Sequence, residues 1–133
     1  MKICVTSTAA SLDAHIDPRF GRCSYFVIVD SETMRFEAIP NIAVGVTGGA
    51  GIQAAQTIAN KGVSLLITGN VGPNAFRALS AAGIEQVTGF AGTVREAVEK
   101  FKRGELSKTS SPTVGDHFGM GGGRGRGRGV WRP

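Results

Sequence analysis

A basic turn that ends in a cysteine is the part of this sequence best suited to chemistry. Residues 19–23 read RFGRC, so Arg19 and Arg22 flank a Phe-Gly pair and Cys23 follows directly. Cationic neighbours attract anions and favour a thiolate over a thiol, and a thiolate is a ligand for iron and other soft metals. We therefore predict that Arg19, Arg22 and Cys23 bind an anionic metal centre and that Cys23 is a metal ligand.

The loop before this turn carries a second candidate metal ligand. His15 stands between Asp13 and Asp17, and an imidazole can bind iron. A structural alternative stays open, in which His15 is solvated, Phe20 packs in the core and Arg22 pairs with Asp13 or Asp17. One thiol cannot hold a four-iron cluster, which usually takes four cysteines. Any cluster would therefore be built elsewhere and held transiently, or shared between protomers.

Three further side chains have the chemistry of a metal ligand. Cys4 stands between Ile3 and Val5, and such surroundings favour a buried, inert thiol. We expect Cys23 to matter more than Cys4. His117 and Met120 stand in the C-terminal segment, from which they could reach a site.

Two glycine-rich turns precede predicted helices. One is Gly69-Asn70-Val71-Gly72, which follows an apolar run, and the other is Gly48-Gly49-Ala50-Gly51, which lacks the spacing of a P-loop or dinucleotide site. Free N–H groups and the positive end of the helix dipole make a helix start a natural anion site. The alternative is that these glycines only form tight turns. The predicted cofactor-binding residues here are Gly49, Gly51, Asn70, Gly72 and Asn74.

Apolar runs and helical periodicity predict an α/β fold with the order β-β-β-α-β-α-β-α. Val94, Ala97, Val98 and Phe101 have i, i+3, i+4, i+7 spacing after a Thr-x-x-Glu capping box, which predicts an amphipathic helix. A hairpin followed by βαβα units predicts a mixed five-stranded sheet with helices on both faces. The predicted strands are 1–6, 25–29, 34–39, 63–67 and 84–88, and the predicted helices begin at residues 48–51, 73 and 93.

Composition predicts one domain and a tail. The chain has 133 residues, and residues 111–133 hold four arginines and one aspartate, three of its five net positive charges. We assign residues 1–106 to the domain and predict that the Ser/Thr- and Arg-Gly-rich residues 107–133 are disordered, because they bury little apolar surface. The N-terminus does not read as a signal peptide, and only two cysteines are present. A cytoplasmic protein with reduced thiols is expected.

Several motifs in order resemble those of the dinitrogenase iron–molybdenum cofactor biosynthesis family, which includes NifX, NafY and the C-terminal domain of NifB. They are LDAHIDPRFGRCSYFVIVD, GGAGIQAAQ, TGNVGPNAFRALSAAGI and GTVREAVEKFKRGEL, and they cover residues 1–106. The resemblance implies a ribonuclease-H-like three-layer fold and a role in binding or carrying iron–sulfur-type cofactor precursors. Cluster-assembly proteins are then the expected partners.

Three functions are consistent with these features. The first is a non-enzymatic carrier or scaffold for an iron–sulfur or iron–molybdenum-type precursor. The second is an RNA- or protein-binding module that uses the Arg-Gly segment, because such repeats can contact polyanions. The third is a regulator that binds a small anion. Nuclease activity is not expected, since the first strand, read as Ile3-Cys4-Val5-Thr6, offers no carboxylate for metal ions.

Overall fold

The fold is an α/β arrangement of five strands and three α-helices within the described residues. The structure is a computed structural model that describes residues 1–43 and 49–113. A short 3-10 helix, Phe20–Arg22, lies in the long loop between the first two strands. The strands are β1 (Lys2–Ser7), β2 (Tyr25–Asp30), β3 (Phe36–Pro40), β4 (Leu65–Ile67) and β5 (Glu85–Val87), and the helices are α1 (Ala50–Asn60), α2 (Pro73–Ala81) and α3 (Val94–Lys102).

All five strands belong to one mixed sheet, in the order β3-β2-β1-β4-β5. The central strand β1 pairs antiparallel with β2 and parallel with β4. β3 is antiparallel to β2, and β5 is parallel to β4. The parallel half brings the carboxyl ends of β1, β4 and β5 to one edge of the sheet, where ligands of open α/β folds usually bind. The predicted α/β fold with a mixed five-stranded sheet is confirmed.

The helices cover both faces of the sheet, as predicted. Cys4 and Leu66 lie on the face covered by α1 and α2, whereas Ile3 and Val5 lie on the face covered by α3. Alternation along β1 sends successive side chains to these two layers, and both are buried. The predicted stripe on α3 is confirmed by fully buried Val94, Ala97 and Val98.

Local backbone geometry corrects the predicted start of the third strand. Met34 was assigned to the third strand, but its φ is 62°, and its N–H donates to the carbonyl of Asp30 across 2.8 Å. It therefore belongs to the hairpin turn, and β3 begins at Phe36. The long loop after β1 forms the 3-10 helix and isolated bridges to Asn70 and Thr93.

The segment after the last helix is bound to the domain. We call residues 107–113 the strap. The N–H of Thr109 donates to the carbonyl of Gln86 at 2.6 Å, and the hydroxyls of Thr109 and Thr88 lie 2.6 Å apart. At the end of the strap, the N–H of Thr113 donates to the carbonyl of Val71, and the Thr113 hydroxyl accepts a hydrogen bond from the N–H of Val71. The prediction of disorder throughout 107–133 is therefore wrong for the strap. The strap has few apolar side chains to bury, and hydrogen bonds of Thr109 and Thr113 hold it to the domain instead. Residues 114–133 lie outside the described part of the chain.

Truncation distinguishes the strap from the segment after it. Removal of all residues after Thr113 should leave the free energy of unfolding within about 0.5 kcal/mol of the parent, because the sequence removed has no periodic apolar pattern. Removal after Lys108 should lower it by a further 1–3 kcal/mol or so, through loss of the Thr109 and Thr113 hydrogen bonds. Urea unfolding of both truncated chains measures the difference. Equal stability of the two chains would contradict a docked strap.

Candidate functional site

Three segments meet at the carboxyl ends of β1 and β4. They are residues 18–22, the start of α1, and residues 69–75. The N–H of Asn70 donates to the carbonyl of Pro18 at 2.8 Å. A Cβ on Gly21 would lie 3.0 Å from the backbone nitrogen of Gly51, and a Cβ on Gly51 would lie 2.9 Å from the Cβ of Ala75. The predicted basic loop and glycine-rich helix starts are therefore neighbours.

Two helices begin at this junction without a side-chain cap. The N-cap of α1 is Gly49, in the left-handed region at φ 72°, and the N-cap of α2 is Gly72. By contrast, α3 has a complete capping box between Thr93 and Glu96. The first N–H groups of a helix have no intrahelical acceptor. The starts of α1 and α2 thus bring uncapped donors and two positive dipole ends to one place.

Part of the predicted donor set is already occupied. The N–H of Asn70 binds Pro18, and the N–H of Val71 donates to the Thr113 hydroxyl at 2.9 Å. Gly51 packs closely against Ala75 and leaves no room for a side chain. This supports the alternative in which the glycine serves a tight turn rather than cofactor binding. The side-chain oxygen of Asn74 accepts a hydrogen bond from Arg77. The remaining donors are the first N–H groups of α1 and α2 rather than the whole Gly69–Gly72 turn.

The two predicted cationic residues lie at the surface of this junction. Arg19 forms an isolated bridge with Asn70, and its side chain is half exposed. Its Nε lies 3.7 Å from Oδ1 of Asp17, whose side chain is only 10% exposed. Arg22 is exposed at the end of the 3-10 helix. Both arginines can therefore contribute charge to the edge of a site without being buried in it.

The predicted environment of Cys23 is wrong. Its side chain is fully buried and its Sγ donates to the carbonyl of Phe20 at 3.4 Å. Burial, and then the charge of Asp17, raise the pKa of the thiol from 9.0 to about 12. The side chains of Arg19 and Arg22 are exposed whereas the thiol is buried, so burial and the charge of Asp17, rather than the arginines, set the pKa of Cys23. That Cys23 is a metal ligand stays a prediction. The expected lowering of its thiol pKa does not support it, because the pKa is raised.

Cys4 lies in the same buried layer as Cys23. Burial, and secondly the proximity of Cys23, raise the pKa of the Cys4 thiol well above 9.0. The prediction of a buried Cys4 is confirmed by its zero exposure. Both thiols are thus stabilised in the protonated form.

Asn41 is a positioning residue that sequence reasoning missed. Its Nδ2 donates to the carbonyls of Gly21 and Cys23 at 3.1 and 3.0 Å and lies 3.9 Å from Sγ of Cys23. Its Oδ1 accepts from the N–H of Ala43 at 3.0 Å. This buried amide fixes the 3-10 turn to the end of β3. The position of this asparagine directly after Pro40 could have indicated its role, because asparagine side chains often form hydrogen bonds with backbone groups at turns.

A pair of buried threonines holds the loop to the sheet. The hydroxyls of Thr6 and Thr68 lie 2.7 Å apart, and the Thr6 hydroxyl donates to the carbonyl of Asp17 at 2.6 Å. Both threonines follow apolar strand residues, which marks the positions where β1 and β4 reach the polar edge. The sequence shows a threonine at the end of each apolar run, but it does not show that the hydroxyls of Thr6 and Thr68, 62 residues apart, contact each other.

His15 is placed away from Cys23. It is exposed and bridges Thr93 at the start of α3, and neighbouring Ile16 packs in the α3 layer. Asp13 pairs with Arg95 there, at 3.1 Å. In residues 1–43 and 49–113, no group of three or more His, Cys, Asp or Glu side chains can hold a metal ion. A joint His15–Cys23 metal site is therefore unsupported. The predictions for Gly48, His117 and Met120 fall outside the described residues.

The chain matches the model of a known protein family over almost the whole domain. The model of the family described as dinitrogenase iron-molybdenum cofactor matches residues 1–104. The chain belongs to this family. The NifX-like resemblance read from the motifs is thereby confirmed.

Several proteins of known sequence or structure are similar to this chain over most of their length. The apo form of the orange protein of Desulfovibrio gigas is 43% identical, with a TM-score of 0.84, over 85% of this chain and 96% of that one. A putative NifB protein from Thermotoga is 34% identical, with a TM-score of 0.75, over 85% and 97% of the two chains. An uncharacterised protein of Methanocaldococcus jannaschii is 32% identical over 81% of this chain and 95% of its own.

The junction is chemically suited to an anion held by hydrogen bonds and charge. It offers backbone donors from two helices and guanidinium groups at the edge. Within the described residues, no helix is both long and apolar enough to cross a membrane.

Proposed function

We propose that this protein is a non-enzymatic carrier or scaffold for an anionic iron–sulfur or iron–molybdenum-type cofactor precursor. The observation that carries the proposal is the convergence of two uncapped helix N-termini beside Arg19 and Arg22. Family membership over residues 1–104 supports a ligand of the cofactor class. Similarity to the orange protein, whose solved form is described as apo, agrees with a ligand-binding role.

Capture of the ligand rests first on hydrogen bonds and charge. Bridging and terminal sulfides of a metal–sulfur cluster accept N–H hydrogen bonds, and helix N-termini stabilise negative charge. Ionising Cys23 at pH 7 costs about 4 kcal/mol more than ionising an ordinary thiol, because its pKa is about 12 instead of 9.0. Thiolate ligation by Cys23 would therefore follow capture, once a metal replaces the proton.

The remaining assignments follow from the carrier role. A scaffold holds its cargo transiently and transfers it, so cluster-assembly proteins are its proposed partners and no catalytic residue is assigned. We place the protein in the cytoplasm and keep the ribonuclease-H-like classification of its fold as a prediction. His15 stays a separate candidate ligand at the start of α3.

Anaerobic titration with a pre-formed four-iron cluster, capped by small thiolates, tests the proposal. The parent should bind it, and the double variant Arg19→Ala, Arg22→Ala should bind about tenfold more weakly, since each edge charge contributes up to about 1 kcal/mol. The visible absorption of the cluster and its retention on gel filtration measure binding. The defect should shrink at high salt, which screens exposed charges.

The matched control is Arg35→Ala, at the opposite end of the sheet. The carbonyl of Arg35 accepts a hydrogen bond from the N–H of Asp30. Asp30 lies opposite Lys2, at the beginning of β1, in the antiparallel pairing of β1 and β2. This variant loses a positive charge and should bind like the parent. Absence of binding by the parent would refute the carrier function. An equal defect in Arg35→Ala and either single variant at Arg19 or Arg22 would refute the location of the site.

A further inference from the structure

We propose that Thr113 is an internal competitor of the anionic ligand at the start of α2. Its hydroxyl occupies the N–H of Val71, and the bound ligand takes over this donor and releases the end of the strap. The inference rests on the proposed function and adds a regulatory contact to the same site.

Thr113 satisfies both backbone polar groups of Val71. The N–H of Val71 donates to the Thr113 hydroxyl at 2.9 Å, and the N–H of Thr113 donates to the carbonyl of Val71 at 2.9 Å. Val71 directly precedes Gly72, the N-cap of α2, and is only 1% exposed. Its N–H is therefore closed to a ligand as long as Thr113 stays in place.

The N–H of Val71 would complete the set of donors at the start of α2. Pro73 is the first residue of the helix and has no N–H, so this helix start lacks one donor. The N–H of Asn70 donates to the carbonyl of Pro18, in a contact so close that a Cβ on Gly69 would lie 2.7 Å from Pro18. Of these two turn residues, Val71 is thus the one whose hydrogen-bond partner can be exchanged.

The strap is held more firmly at Thr109 than at Thr113. The N–H of Thr109 donates to the carbonyl of Gln86 at 2.6 Å, and its hydroxyl accepts from the N–H of Thr88 at 3.0 Å and lies 2.6 Å from the Thr88 hydroxyl. Thr109 and Thr113 are half-buried, and the other five strap residues are exposed. The contact of Thr113 with Val71 can therefore break while the rest of the strap stays bound at β5.

The charge of the ligand decides the competition for the Val71 N–H. The Thr113 hydroxyl is a neutral acceptor, whereas the sulfides of an anionic cluster carry negative charge, and hydrogen bonds to charged acceptors are about twice as strong as those between neutral groups. The positive end of the α2 dipole also favours an anion over a hydroxyl. Before the ligand binds, the strap lowers the apparent affinity in proportion to the fraction of molecules in which Thr113 is released.

Thr113→Val in the full-length protein tests the competition, because it removes the hydroxyl and keeps a branched side chain of similar size. Thr33→Val is the matched control. The Thr33 hydroxyl also accepts from a backbone N–H, that of Arg35 at 3.2 Å, but it lies in the turn between β2 and β3, at the opposite end of the sheet. Anaerobic titration with the thiolate-capped four-iron cluster measures affinity. Hydrogen exchange of the parent, with and without the cluster, measures release of the Thr113 amide.

Thr113→Val should bind the cluster about fivefold more tightly than the parent, since loss of one neutral hydrogen bond shifts an equilibrium by roughly that factor. Thr33→Val should bind like the parent. In the parent, the cluster should speed exchange of the Thr113 amide at least about threefold, while the Val71 amide stays protected by its new acceptor.

Parent-like or weaker binding by Thr113→Val would overturn the competition and leave the carrier function intact, as would an equal gain in Thr33→Val. Slower exchange of the Thr113 amide in the presence of the cluster would also overturn it, because the strap would then close over the ligand instead of yielding to it. Failure of the parent and of Thr113→Val to bind the cluster would remove the proposed function and the competition together.

Discussion

Cys23 of the native protein should react with iodoacetamide at pH 8 about 1,000-fold more slowly than an ordinary thiol. The thiolate is the reactive form, and a rise of the pKa from 9.0 to about 12 reduces its population about 1,000-fold at that pH. Complete burial of Sγ adds a barrier to the reagent. Mass spectrometry of peptides from timed reactions measures each cysteine separately, and Cys4 should be at least as protected.

Denatured protein is the control for this reaction, since both thiols should then react at the ordinary rate. Fast modification of Cys23 in the folded parent would show that the thiol is accessible and that its pKa is not raised. The free energy of unfolding gives a second readout. Because the folded pKa lies above the unfolded one, the stabilising effect of the protonated Cys23 thiol is complete below about pH 9 and is lost between pH 9 and 12. Cys23→Ser should remove this share of the pH dependence.

Gly69→Ala should destabilise the protein by about 3 kcal/mol, because the new methyl group meets backbone. A Cβ on Gly69 would lie 2.7 Å from both Cα and Cβ of Pro18 and 2.9 Å from its carbonyl oxygen. The same contact region contains the hydrogen bond between Asn70 and Pro18. Separation of these two segments would also move the basic loop away from the start of α2. Cluster affinity of the folded fraction should therefore fall as well.

Gly104→Ala is the matched control for this substitution. Gly104 has a φ of 75°, and a Cβ there would meet nothing within 4 Å. Its change should cost only the strain of the left-handed conformation, about 1–2 kcal/mol, and should leave cluster affinity unchanged. Thermal and urea unfolding of both variants decide the comparison. A smaller loss of stability in Gly69→Ala than in Gly104→Ala would contradict the close approach of the two segments.

The sequence by itself determined the layers of this fold. The spacing of Val94, Ala97 and Val98 predicted the buried face of α3, and Thr93 with Glu96 predicted its start. Continuous apolar runs predicted the buried strands, and their order with the helices predicted a mixed sheet. These features depend on periodicity over a few residues, so a single chain segment contains the information. The motif order also sufficed to identify the family.

Tertiary structure decided the chemistry of the candidate site. Cys23 follows Arg22 in the sequence, yet burial, and secondly the charge of Asp17, raise the pKa of its thiol instead of lowering it. A pKa depends on burial and on whichever charges fold around a group, and chain neighbours can point the other way. Thr113 contacts Val71 from 42 residues away, and nothing local in the Ser/Thr-rich strap predicted that contact. Sequence patterns determine which faces are buried, whereas the partners of isolated polar groups are fixed only when distant segments pack together.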